Sequence, residues 1–311
     1  MTGQVYKSTG SWYTVKTLNG KVYECRIKGK FRIEGIKSTN PIAVGDFVEF
    51  ELETKNNRET GIIKRIEERK NYIVRKSVKL SKQTHIIASN IDQVFLLITI
   101  KNPQTFTSFI DRFLVTAEAY SIKTILLFNK IDTYNEDEMI EARYLAAVYR
   151  KIGYECIGIS AKTGKNIDKV KELMIGKVNM FTGNSGVGKS TLINALEPGL
   201  NLKTREISEQ HAQGQHTTTF AEMFDLSFDA MIIDTPGIRG FGVFDMDDDE
   251  VGDYFPEFFK LKEHCKFNNC LHIQEPKCAV KEALDNDEIA FSRYRSYLQI
   301  LEGDDETYRI D

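Results

Sequence analysis

Gly183-Asn184-Ser185-Gly186-Val187-Gly188-Lys189-Ser190-Thr191 is the stretch that decides the fold. It follows the apolar run Val178-Asn179-Met180-Phe181-Thr182 and opens onto Ser190 to Leu196, so it reads as strand, loop and helix. Its glycines let backbone N–H groups turn inward around phosphate oxygens, beside the positive end of the helix. Lys189 is placed to reach the β- and γ-phosphates, and Ser190 to hold Mg²⁺.

Asn129-Lys130-Ile131-Asp132 and Ser160-Ala161-Lys162 lie upstream of that loop, and Asp234-Thr235-Pro236-Gly237 lies downstream. An ordinary GTPase has its base-reading motifs after the phosphate loop, so this chain has been rotated through the fold. The Asp132 carboxylate is suited to accept both N1–H and the 2-amino hydrogen of guanine. Adenine lacks that amino group, so a site built on these bonds rejects it. Lys130 is expected to cover the base, and the Ser160–Lys162 stretch to donate backbone N–H groups to its carbonyl oxygen. Asp234 ends a strand and is suited to hold Mg²⁺ through water, while the Gly237 N–H faces the γ-phosphate. GTP and GDP are the expected nucleotides.

Ile238 stands where many GTPases carry a water-orienting glutamine. A hydrocarbon side chain cannot orient water, so another group must, or intrinsic turnover is slow. His216, in Gly214-Gln215-His216-Thr217-Thr218-Thr219, is the expected catalytic residue beside Lys189. The polar stretch from about Arg205 to Thr219 reads as a switch. One of its threonines, with Thr218 taken as the representative, completes the Mg²⁺ shell when the γ-phosphate is present.

Around these motifs, Val94 to Ile98, Thr124 to Phe128, Cys156 to Ile159 and Met231 to Ile233 are near-continuous apolar runs. Such runs belong to a sheet covered on both faces. Helical stretches at Asp111 to Tyr120 and Glu136 to Ile152 intervene, which predicts a doubly wound α/β domain with ligands at the C-terminal ends of its strands.

The N-terminal part reads differently. Trp12 to Leu18 and Lys21 to Phe31 flank the hairpin signal Asn19-Gly20, and Val44 to Phe50 and Gly61 to Ile66 supply two more short strands. A small closed β-barrel of the oligonucleotide-binding type is the economical architecture. Alternation puts Arg26, Lys28, Lys30 and Arg32 on one strand face and Cys25, Ile27, Phe31 and Ile33 on the other. Four aligned cations suit a nucleic-acid backbone, although charge also protects a soluble edge strand.

Charge supports a basic N-terminal module. Residues 1–82 hold 18 Lys and Arg against 9 Asp and Glu, whereas residues 245–311 hold 8 against 18, within a net charge of only −3. That asymmetry fits a polyanion partner but equally fits solvated surfaces. The chain's 311 residues exceed one typical domain, and 41% hydrophobic with 28% charged content is globular. Apolar runs such as Val94 to Ile98 are too short to span a bilayer. With no apolar signal region at Met1-Thr2-Gly3-Gln4-Val5, a cytoplasmic home is expected. Cysteines there stay reduced and act as buried thiols or metal ligands.

Cys265, Cys270, His272 and Cys278 offer three thiolates and an imidazole within fourteen residues. That set suits a closed tetrahedral site for one structural Zn²⁺, with no open position for catalysis. Cys25 and Cys156 lie on strands and read as core residues. Ala279 to Leu301 reads as one helix, with Ala283, Leu284, Tyr294, Tyr297, Leu298 and Leu301 packed.

The barrel, the motif order from Asn129 to Gly237 and the Cys-Cys-His-Cys knot together resemble the ribosome small subunit-dependent GTPase A (RsgA/YjeQ) family over nearly the whole chain. The resemblance implies a circularly permuted GTPase that binds the small ribosomal subunit and its rRNA, acts late in subunit maturation, and hydrolyses GTP faster when bound. It further implies that the barrel and zinc module both contact the subunit. The family commonly has arginine where this chain has Gln215, so the reading does not require a cation beside His216. The implied organisation is a barrel over residues 1–72, a GTPase domain over 73–244 and a zinc-binding C-terminal domain over 245–311. A monomer without membrane contact is expected. Two other readings remain open at this point: an RNA-binding protein that uses GTP only as a conformational switch, and a phosphate-loop enzyme acting on a small molecule. The guanine motifs disfavour the second.

Overall fold

A computed structural model of the chain describes residues 1–27, 41–55, 58–76, 84–200, 221–234 and 246–303. Two compact units emerge among them. One draws on Met1–Val94, Gly164–Thr182 and Lys189–Gly240, the other on Phe95–Thr163, Gly183–Gly188 and Phe241–Asp311.

In the first unit, five strands close a barrel: Thr2–Ser8, Tyr13–Lys16, Val22–Ile27, Phe47–Lys55 and Arg58–Ile66. Thr2–Ser8 pairs antiparallel with both Tyr13–Lys16 and Phe47–Lys55, and Val22–Ile27 closes the ring by running parallel to Arg58–Ile66. Closure removes the exposed edges that a five-stranded sheet would otherwise present. Val5, Tyr13, Val15, Cys25, Ile42, Val48, Phe50 and Ile63 fill the interior. Gly61 permits this density, because a Cβ there would lie 2.3 Å from the Cys25 sulfur and 2.9 Å from the Phe50 ring. The Asn19-Gly20 hairpin forms as expected, with Gly20 at φ +80°.

The opening strand, Thr2–Ser8, was not legible in the sequence. Gly3 and Ser8 are two of its buried positions, and neither is a hydrophobic side chain. A bulge between Val5 and Lys7 also breaks the alternation that would have marked the strand. The hairpin of Tyr72–Lys76 with Thr84–Ser89 was likewise unanticipated.

The rest of this unit's sheet grows from the barrel. Thr2–Ser8 pairs at Lys7–Glu222 with the antiparallel strand Glu222–Leu226, which pairs with Ala230–Asp234. That strand runs parallel to the wholly buried Val178–Thr182. Glu222–Leu226 escaped the sequence reading because its burial alternates around a polar Glu222-Met223-Phe224-Asp225-Leu226 pattern.

In the second unit, the Phe95–Ile98 part of the strand Gln93–Ile98 lies beside Lys123–Phe128, which pairs with Glu155–Gly158. Glu136–Ile152 is helical from its first turn because Asn135 and Glu138 form a reciprocal capping box, 2.8 and 3.1 Å, over three acidic first-turn residues. Thr107–Ala119 meets the C-terminal helices in one core, where Val115 packs among Phe255, Phe258, Val280, Ile289, Tyr294 and Tyr297.

The long C-terminal helix expected from Ala279 to Leu301 is two helices, Ala279–Asp285 and Phe291–Leu301. Asn286 ends the first, and Asp287 adopts the left-handed region at φ +57°, which an α-helix cannot continue through. The break lets the second helix deliver Arg293, 1% exposed, to Asp111 at 2.7 Å and Glu257 at 2.7 Å, with the Tyr149 hydroxyl donating to Asp111 at 2.7 Å. Removing the guanidinium alone strands two carboxylates. Arg293→Met is therefore expected to destabilise the protein by about 3–5 kcal/mol, read as a lower urea midpoint. An unchanged midpoint would mean the network contributes nothing net.

Candidate nucleotide site and metal knot

The phosphate loop and the base-reading motifs gather in the second unit. Asn129 ends the Lys123–Phe128 strand at 1% exposure. Its amide nitrogen donates to the Val187 carbonyl at 2.8 Å, and its carbonyl oxygen accepts from the Ala161 N–H at 3.1 Å. One carboxamide thus latches the phosphate loop to the Ser160–Lys162 turn. That makes Asn129 a support for the nucleotide-binding loops, a role the sequence could not separate from direct contact.

Lys130 sits at φ +64° and donates to the carbonyls of Gly186 at 2.7 Å and Asn102 at 2.5 Å, so its stem crosses the phosphate loop. Tyr134, which the sequence reading missed, braces the turn. Its hydroxyl donates to the Asn129 carbonyl at 2.6 Å and accepts from the Ile100 N–H at 3.0 Å. Asp132 and Lys162 are exposed, Ser160 and Ala161 are buried, and Ser160 Oγ accepts from the Thr163 N–H at 3.1 Å.

Two glycines of the loop are sterically compelled. Gly183, at φ +142°, would put a Cβ 2.6 Å from the Leu97 carbonyl oxygen. Gly188, at φ +98°, would put one 2.5 Å from the Asn129 amide nitrogen. Any side chain at position 188 would therefore spring the latch.

Lys189, Ser190 and Asp234 belong to the first unit. Lys189 and Ser190 start the helix Lys189–Leu196, with Thr191 exposed in its first turn. Asp234 ends its strand directly opposite Glu222. Burial, then the Glu222 charge, push its carboxyl above the usual range, and only Lys189 pulls it back. An added cation relieves that crowding. A carboxylate with the Ser190 hydroxyl is a hard-oxygen donor set of the kind Mg²⁺ takes. His216, Thr218 and Gly237 lie outside the described residues, as does Ile238.

The knot does come together. One ligand atom from each of Cys265, Cys270, His272 and Cys278 lies within 4.8 Å of the others. His272 Nδ1 is 3.7 Å from Cys265 Sγ and 3.3 Å from Cys278 Sγ, distances a tetrahedral zinc would span. Burial and neighbouring sulfur push the Cys270 thiol up to about 12, while burial pulls the His272 imidazole below its usual range. Burial raises the Cys278 thiol as well, and a cation held among these soft donors would favour the thiolates, so the residues fit Zn²⁺. Tyr294 and Tyr297 fix the loop by donating to the carbonyls of His272 and Leu271 at 2.7 and 2.6 Å. Glu275 accepts the N–H groups of Leu271, Ile273 and Gln274. We expect one zinc per chain. Cys270→Ala should lose it and raise hydrogen exchange across 265–301, with GTP affinity intact. Equal protection in a metal-free chain would defeat that reading.

A phosphate loop latched through Asn129 to the Ser160–Lys162 turn, with both motifs preceding the loop in sequence, defines a circularly permuted GTPase. Residues 66–244 match the model of the RsgA GTPase, and residues 2–63 that of the RsgA N-terminal domain. The chain belongs to the RsgA GTPase family and is a GTP hydrolase. Small ribosomal subunit biogenesis GTPase RsgA of Christiangramia forsetii is 71% identical over 100% of this chain and 99% of its own length. The protein of that name from Bacteroides fragilis strain YCH46 is 56% identical over 98% of both. Among solved structures, YjeQ from Thermotoga maritima superposes with a TM-score of 0.79 at 35% identity, covering 97% of each chain. YloQ, described as a circularly permuted GTPase, gives 0.75 at 29%, covering 97% of this chain and 94% of its own. Among the described residues, no helix is long and apolar enough to cross a membrane.

Proposed function

We propose that this chain is a cytoplasmic, monomeric GTPase of small ribosomal subunit biogenesis that acts late in maturation and hydrolyses GTP faster when docked. The observation that carries this reading is the full-length match, at 71% identity, to a relative named for small-subunit biogenesis. In this reading residues 1–72 form the RNA-binding barrel, 73–244 the GTPase domain and 245–311 the zinc-binding domain. Asp132 and the Ser160–Lys162 turn read guanine, and Gly183 to Thr191 with Gly237 bind phosphates. Lys189 stabilises the transferring phosphoryl group, Ser190, Thr218 and Asp234 hold Mg²⁺, and His216 positions the attacking water.

Single-turnover GTP hydrolysis with and without small subunits tests the proposal. We expect slow turnover alone and a clear rise on adding subunits. No rise would favour a protein that uses GTP only as a conformational switch.

The barrel and zinc module supply the rRNA contacts in this reading. Of the basic stripe, Arg26 pairs with Glu53 at 3.2 Å, and Lys28, Lys30 and Arg32 lie outside the described residues. Reversing all four to Glu should spare intrinsic hydrolysis and weaken subunit binding. The slope of log affinity against log salt should flatten by roughly one unit per lost phosphate contact. Unchanged affinity and slope would place the RNA contact elsewhere.

A further inference from the structure

Three charged residues stand in one row across three neighbouring strands. Lys7, on the barrel's opening strand, is the ladder partner of Glu222, and Glu222 is the ladder partner of Asp234. Residues directly opposed in antiparallel strands project from the same face and interact. The Lys7 ammonium meets the Glu222 carboxylate at 3.1 Å, with both side chains partly exposed. On the other side, Glu222 faces Asp234 as a like charge, and Lys189 opposes it. The row therefore runs cation, carboxylate, carboxylate, with the Lys189 charge from the neighbouring helix acting on the last. Two opposed carboxylates repel unless each has its own counter-charge. Lys7 supplies one for Glu222, and Lys189 supplies the other for Asp234, where a bound Mg²⁺ would add to it.

Mg²⁺ chemistry at Asp234 does not by itself require Glu222, and nothing in the phosphate loop requires a barrel residue. Yet the barrel's strand reaches the Mg²⁺-binding strand through a single intervening residue. Adjoining contacts tie the barrel to the Glu222–Leu226 strand: Tyr6 on Thr2–Ser8 donates to Asp225 at 2.7 Å, and Lys16 on Tyr13–Lys16 also pairs with Asp225. A shift of Thr2–Ser8 thus moves Lys7 relative to Glu222.

We propose that Glu222 is a positioning residue for Asp234 and that Lys7 sets where its carboxylate points, so that the barrel acts on the magnesium site. This rests on the assignment of Asp234 to Mg²⁺. With Lys7 in place, Glu222 is drawn toward the barrel and Asp234 is left to the cation. Without Lys7, the Glu222 carboxylate is free to add its charge beside Asp234 and hold the cation more tightly. Whatever docks on the barrel and displaces its first strand therefore changes how firmly Mg²⁺ and nucleotide are held.

The test is the Mg²⁺ dependence of fluorescent GDP release from the full-length protein, a readout independent of hydrolysis. Glu222→Gln should raise the Mg²⁺ concentration needed to slow release about 3–10-fold, as expected for losing one charge directly opposite Asp234. Lys7→Met should move it the other way, and Lys7→Arg, which keeps the pair, should behave as the parent. In the Glu222→Gln background, Lys7→Met should have no further effect, because Lys7 acts only through Glu222. Equal effects of Lys7→Met with and without Glu222, or no shift in either single variant, would overturn the coupling. Asp234→Asn separates the two levels. If it leaves the Mg²⁺ dependence intact, the Asp234 assignment has failed and the proposal falls with it. If it abolishes the dependence while the Lys7 and Glu222 variants behave as the parent, only the coupling has failed.

Discussion

Asp132→Asn is expected to lose GTP affinity by roughly 10²–10⁴-fold and to gain affinity for xanthosine triphosphate. The carboxylate accepts two hydrogen bonds from guanine, N1–H and the 2-amino group, and each charge-assisted bond is worth about 1.5–3 kcal/mol. An amide in its place accepts one of them and presents a donor toward the other, which suits the 2-keto oxygen of xanthine. Asp132 is exposed, and among the described contacts nothing but its neighbours in the turn fixes it. The support comes from Lys130 and Tyr134, whose bonds to Gly186, Asn102 and the Asn129 carbonyl hold that turn. The substitution should therefore change specificity without unfolding the site. Competition binding with GTP and xanthosine triphosphate reads the outcome, and a variant that keeps parental GTP affinity would remove Asp132 from base recognition.

His216→Ala is expected to keep GTP and subunit affinity while losing roughly 10²–10⁴-fold of the subunit-stimulated rate, the usual range for one positioned acid–base group. The Ile238 hydrocarbon cannot orient the attacking water, and His216 is the group assigned that task in the function proposed above. In the function proposed above, a switch that holds the catalytic arrangement only part of the time would turn over slowly, and docking would raise the rate by ordering it rather than by adding a group. Single-turnover hydrolysis with saturating subunits measures this. Full stimulation of the variant would mean that the water's partner comes from the subunit or from elsewhere in the chain.

The sequence by itself determined the class of fold and the GTPase family. Phosphate loops, guanine motifs and soft metal-ligand clusters are local patterns, because their function depends on a few residues of fixed type at short spacing. The order of Asn129, Ser160 and Gly183 along the chain was enough to recognise the permutation, and Cys265 to Cys278 enough to expect a closed metal site. Continuous apolar runs such as Val94 to Ile98 marked a buried sheet for the same local reason.

Tertiary structure decided everything that depends on partners distant in sequence. The Thr2–Ser8 strand is a strand because Tyr13–Lys16, Phe47–Lys55 and Glu222 complete its hydrogen bonds, and its buried glycine and serine gave no apolar rhythm to read. Asn129 proved to be a latch because Val187 and Ala161, 58 and 32 residues away, reach its two ends. Arg293 is buried because Asp111, 182 residues earlier in the chain, neutralises it, and no composition rule could pair them. A ladder register, likewise, is what put Lys7, Glu222 and Asp234 in one row. Local patterns specify chemistry through residue type, whereas these contacts exist only once the folded chain has brought complementary charges and hydrogen-bonding groups within a few ångströms.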